Sequence, residues 1–152
     1  MENKVKSYLL KIPGQTDNLE LIRNFVSGIA KKVGFDEEDT NKIELAIDEA
    51  CTNVIEHAYQ HDESQDIDIA VKIDYNKFTI VVADRGRSFD MDEVEIPDMS
   101  SYLAELRVGG LGIYLMRTLM DEVDYHSKPG EKNEVTMVKY FLKKGKKAKK
   151  KA

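Results

Sequence analysis

At 152 residues the chain is long enough to close one hydrophobic core and short for two, and 41% hydrophobic with 34% charged residues is a globular composition. The formal net charge is -5, yet seven of the 23 basic residues fall in the last ten positions, so the body sets 16 basic against 28 acidic residues and is a poor partner for nucleic acid. The longest apolar run, Phe78 to Ala83, is too short for a bilayer, the N-terminus has no secretory pattern, and the single Cys51 excludes an intrachain disulfide, so a soluble, cytoplasmic protein without membrane contact is expected.

In chain order, Val5 to Ile12 alternates as a strand and ends at Pro13-Gly14. Asp17 or Asn18 can cap a helix carrying Leu19, Ile22, Val26, Ile29 and Val33 at helical spacing, which stops at Gly34. The acids Asp36 to Asp39 suit the first turn of a second, long helix whose apolar stripe is Ile43, Ile47, Ala50, Val54 and Ala58. Ile67 to Tyr75 and Phe78 to Ala83 read as a hairpin turning at Asn76-Lys77 and ending at Asp84. Residues 85–108 break the pattern and are longer than an ordinary connection, as lids are. Gly109-Gly110-Leu111-Gly112 opens a third helix through about Met120, and strands Val123 to His126 and Val135 to Leu142 follow. One domain over residues 1–142 is expected, with the lid at about 85–108 and a basic, disordered tail at 143–152. This order predicts an α+β, two-layer sandwich, with helices on one face of a mixed, mostly antiparallel sheet.

Three groups of residues could carry chemistry. Glu49 and Asn53 lie one turn apart on the second helix and can act on one ligand, the carboxylate as a base and the amide oxygen as a hard, neutral magnesium ligand; alone, the pair reads as a solvated polar face. Asp84, followed by Gly86 at a strand end, could accept from the amine of adenine and repel the oxygen of guanine, or simply make a turn. Gly109, Gly110, Leu111 and Gly112 at a helix start would let backbone amides approach phosphates, tight helix packing being the alternative. Neither the P-loop nor the dinucleotide fingerprint fits.

Taken in order, Glu-x-x-x-Asn on a helix, Asp-x-Gly at a strand end, a lid and Gly-Gly-Leu-Gly resemble the ATPase superfamily that includes gyrase, histidine kinases and mismatch-repair ATPases. Ile47-Asp48-Glu49-Ala50-Cys51-Thr52-Asn53 with His57-Ala58-Tyr59, and Gly109 to Val123, resemble in particular the anti-sigma-factor serine/threonine kinases of bacterial partner switching. The resemblance implies a histidine-kinase-like ATPase fold, ATP and Mg2+ as cofactors, Glu49 as catalytic base, Asn53 as magnesium ligand, Asp84 as adenine reader and Gly110 with Gly112 at the phosphates. It implies that Arg107 neutralises charge on the transferred group, a solvated lid cation being the alternative, and that His57 is a structural member of the helix motif. It further implies a STAS-domain antagonist as phosphoacceptor, a sigma factor as alternative partner, and a homodimer. A nucleotide-gated binding switch and a detached histidine-kinase catalytic domain are the rival readings. Where these kinases place Gly-Thr, the Thr helping to bind adenine, this chain has Lys132-Asn133; Asn133 can still hydrogen-bond there.

Overall fold

The computed structural model describes residues 5–87, 110–128 and 130–141. Strand β1 (Lys6–Pro13) leads through a 3-10 turn (Thr16–Asn18) into helix α1 (Leu19–Val33), then helix α2 (Glu37–Asn53), which runs on as a π-helical segment (Val54–Ala58). Strands β2 (Asp66–Asp74) and β3 (Lys77–Asp84), helix α3 (Gly110–Leu119) and strands β4 (Glu122–Lys128) and β5 (Lys132–Tyr140) complete the order.

Local chemistry accounts for these boundaries. Gly34 ends α1 with a left-handed backbone (φ 110°), and Phe35 N–H then reaches back to the Ala30 carbonyl at 3.2 Å, closing the orphan carbonyls of the last turn. The next helix is capped at once: the Asp36 side chain accepts from Asp39 N–H at 2.8 Å, and three acids in the first turn favour the helix dipole. Asn18, expected as a side-chain cap, instead donates to the Pro13 carbonyl at 2.9 Å and makes no cap bond. The β2–β3 turn falls one residue earlier than the sequence suggests. Asp74 pairs with Lys77, and Tyr75 takes the left-handed backbone (φ 55°).

Among the described residues five strands lie in the order β1-β2-β3-β5-β4, and every neighbouring pair is antiparallel. The expectation of a mixed sheet is therefore corrected. After α3 the chain enters the edge strand β4, which runs parallel to β3, but the hairpin return slots β5 between them and removes the parallel contact. Along β2 and β3 alternate residues are buried: Ile67, Ile69, Val71 and Ile73, then Phe78, Ile80 and Val82. These side chains share one core with Ile22, Val26 and Ala30 of α1, Ile43, Ile47 and Ala50 of α2, and Met116 of α3, so the helices cover one face of the sheet. Phe35, just beyond α1, packs edge-on against Phe78 and Phe141 with ring centroids 5.3 Å apart in both pairs, joining the helical layer to the sheet.

Candidate functional site

The helical stripe of α2 changes pitch at the residue that the chemistry needs. After Asn53 the backbone widens, and Tyr59 N–H bonds to the Val54 carbonyl at 2.7 Å, the i to i+5 spacing of a π-turn. Val54 and Ile55 remain buried, Ala58 is half-buried, and the segment ends against the loop that leaves β3. There the Ala58 carbonyl accepts from Arg87 N–H at 2.8 Å. Gly86 lies against the same peptide: a Cβ on it would stand 2.3 Å from Ala58 O and 2.8 Å from the Tyr59 ring. Gly86 is therefore required for this close approach. Tyr59 completes the joint, its hydroxyl donating to the Asp66 carbonyl and accepting from Arg85 N–H at 3.1 Å.

Asp84 ends β3 on the inner face, only 5% exposed. Its Oδ1 accepts from Gly86 N–H and from Asn133 Nδ2, both at 2.8 Å. Burial pushes its carboxyl above the usual aspartate range, and the two donors oppose that push without cancelling it. Asn133, the partner of Asp84 in the β3–β5 register, is 2% exposed and accepts from Ser127 Oγ at 2.7 Å. Ser127 is a participant that motif reading misses, and Tyr59, a member of the helix motif, has no role assigned there. Their contribution depends on strand register and on the π-turn, neither of which leaves a residue pattern.

Asn53 and Asp84 line a single slot, closed by Ala50 of α2, Met116 of α3, Tyr125 of β4 and Val135 of β5, with Arg87 at its rim. The walls of the slot are mainly apolar. A flat apolar ring with one polar edge matches this arrangement: the walls take the faces and Asp84 takes an amine. The Asn53 amide nitrogen is buried in the fold and has no hydrogen-bond partner among the described residues. A buried amide in that condition calls for a ligand group, and a half-turn about χ2 would offer its oxygen to a cation instead. Both residues thus fit a nucleotide with its metal.

Glu49 stands one turn before Asn53 on α2, half-buried, and is not part of the slot's lining. Its carboxyl is pushed above the usual glutamate range by burial first, then by the neighbouring charges of Asp48 and Glu56. Asp48 is itself held by Arg23 of α1, whose Nε donates to both carboxylate oxygens at 3.2 and 3.1 Å. Gly110, Leu111 and Gly112 form the first turn of α3, the helix whose Met116 lines the slot. Arg107, Gly109, most of the expected lid (88–108) and the tail (143–152) lie outside the described residues. His57 sits half-buried on the π-segment. Cys51 is fully buried, and burial drives its thiol well above the ordinary range, which makes it chemically inert. Among the described residues no group of three or more His, Cys, Asp or Glu side chains could hold a metal ion, and no helix is long and apolar enough to cross a membrane.

Residues 12–139 match the family described as the histidine kinase-like ATPase domain. The chain belongs to that family. Its relatives include the serine-protein kinase RsbW of Bacillus subtilis (strain 168), 35% identical over 146 residues that cover 93% of this chain and 89% of the relative. The serine-protein kinase RsbW of Halalkalibacterium halodurans is 36% identical over 125 residues, covering 80% and 76%. Among solved structures, the RsbU and RsbW domains of Rv1364c from Mycobacterium tuberculosis superpose with a TM-score of 0.65 at 18% identity, over 89% of this chain and 32% of that longer one. The SiaB-SiaC complex from Pseudomonas aeruginosa gives a TM-score of 0.63 at 12% identity, over 86% and 88%. These two share the fold.

Proposed function

We infer that this chain is an ATP-dependent serine/threonine protein kinase and anti-sigma factor of the partner-switching kind. The observation that carries the reading is the slot that joins the buried Asp84 carboxylate to the unpartnered Asn53 amide, in a chain whose relatives are named serine-protein kinases. Bound ATP with Mg2+ supplies the phosphoryl group and much of the charge neutralisation its transfer needs. Asp84 accepts from the adenine amine, and the apolar walls hold the ring out of water. Asn53 would hold the metal through its amide oxygen, a hard, neutral ligand. Gly110 and Gly112 stand in the first turn of α3, where the N–H groups of a helix start can meet phosphate oxygens. Glu49, half-buried with a raised proton affinity, is suited to orient the acceptor serine hydroxyl and take its proton. Arg107 and Gly109 belong to the same proposal on sequence grounds.

The acceptor is a serine of a STAS-domain antagonist, the alternative partner an RNA polymerase sigma factor, and the working form a cytoplasmic homodimer without direct nucleic-acid or membrane contact. ATP labelled on the γ-phosphate, incubated with such an antagonist, is expected to leave acid-stable label on serine. Glu49→Gln should slow this transfer by about 10²- to 10⁴-fold, the usual contribution of a positioned base, with ATP affinity little altered. Undiminished transfer in that variant would remove Glu49 from its role. Acid-labile label would favour a histidine-kinase type, and nucleotide binding without label a binding switch.

A further inference from the structure

Asn133 is expected from its sequence position to meet the base, but its hydrogen bonds are committed elsewhere. A side-chain amide has two N–H donors and one carbonyl acceptor. Asn133 Nδ2 donates to Asp84 Oδ1 at 2.8 Å and to the Gly86 carbonyl at 3.0 Å, with the Arg87 carbonyl more distant at 3.4 Å. Its oxygen accepts from Ser127 Oγ at 2.7 Å. The sheet register makes this possible, because Asp84 lies opposite Asn133 across β3–β5, and Ser127 lies opposite Asn133 across β4–β5. Three polar side chains thus stand in one row on the inner face, at the ends of three strands.

The row terminates on one oxygen only. Asp84 Oδ1 takes both Asn133 and Gly86 N–H, whereas Oδ2 accepts no hydrogen bond among the described residues. We propose that Ser127 and Asn133 form a clamp that sets the orientation of the Asp84 carboxylate, so that Oδ2 alone reads the purine amine and Asn133 makes no contact with the base. This makes both of them positioning residues for purine specificity, and the proposal rests on the reading of Asp84 as the adenine acceptor.

The test compares Kd for ATP, for GTP and for purine riboside triphosphate, which lacks the amine, in wild type, Ser127→Ala, Asn133→Ala and Asn133→Thr. Each variant's folding is followed by circular dichroism. The wild type is expected to favour ATP over the amine-free analogue by roughly tenfold or more, the worth of a hydrogen bond to a charged group. Asn133→Ala should lose roughly tenfold for ATP and less than about twofold for the analogue, because it disturbs only the contact with the amine. Ser127→Ala should shift in the same sense by a smaller factor, and Asn133→Thr, whose hydroxyl can donate to Asp84, should recover part of the selectivity. Equal binding of ATP and the analogue by the wild type would overturn the reading of Asp84 and the clamp with it. Intact wild-type selectivity, with Asn133→Ala losing both nucleotides equally, would overturn the clamp alone. Should Asn133→Ala fail to fold, Ser127→Ala decides: unchanged selectivity sinks the proposal, and reduced selectivity upholds it.

Discussion

Asp84 and Glu49 are acids kept in surroundings that disfavour their charge, and in both the largest cause is burial. For Asp84 the folded protein holds the proton to higher pH than the unfolded chain does. Stability therefore falls as pH climbs from the ordinary aspartate range through the raised folded value, and the whole cost is present above it. Asp84→Asn keeps an oxygen for Gly86 N–H and Asn133 and removes the charge. Its melting temperature should exceed the wild type's near neutral pH and converge on it in acid, measured by thermal melts across pH, while ATP binding is lost. A wild-type advantage at neutral pH would show the charge to be stabilising instead. The same surroundings give Glu49 a high proton affinity, with Asp48, itself paired with Arg23, and Glu56 adding to the effect of burial.

The π-turn and the β3 exit loop depend on each other. Gly86 approaches Ala58 so closely that any side chain displaces backbone, whereas Gly34, at φ 110°, has open space around it and is needed only for its backbone angle. The two glycines separate crowding from conformation. Gly86→Ala should cost about 1–3 kcal/mol or more in urea unfolding, as forced overpacking does. Gly34→Ala should cost about 1–2 kcal/mol, the price of a left-handed non-glycine residue. Nucleotide affinity, measured on the folded fraction, should fall only in Gly86→Ala, because that loop also carries the peptide groups held by Asp84 and Asn133. Equal loss of affinity in both variants would mean that global stability, not the joint, controls the slot.

For the whole molecule, the slot is walled by both helices α2 and α3 and by the three strands β3, β4 and β5, so a bound nucleotide would bridge elements that are distant in the chain. A ligand that binds only the folded state at a hundredfold over its Kd adds about 2.7 kcal/mol of stability. In a domain of this size that corresponds to a melting-temperature rise of roughly 5–10 °C with ATP and Mg2+. GTP at the same concentration should raise it much less. Scanning calorimetry distinguishes the cases, and equal shifts with the two nucleotides would deny Asp84 its selective role.

The helices were legible because their signals are local: the periodic stripes of α1 and α2, the Gly34 stop and the acids after Asp36 act within a turn or two of chain. The order Glu49, Asn53, Asp84, Gly110 and Gly112 was likewise legible as a motif, since a family's chemistry is written in residue types and spacing. The wholly antiparallel sheet was not, because the insertion of β5 between β3 and β4 is a choice of partner made by packing. Nor were the π-turn after Asn53, the need for Gly86 against Ala58, or the Ser127–Asn133–Asp84 row. The π-turn is local but leaves no residue pattern, and the other two join segments far apart in sequence, Ala58 with Gly86 and Asp84 with Asn133, which only the closed fold brings together. The sequence alone therefore determined which groups are candidates to meet a nucleotide, and the tertiary structure decided that Asn53 and Asp84 face one slot while Asn133 bonds to Asp84.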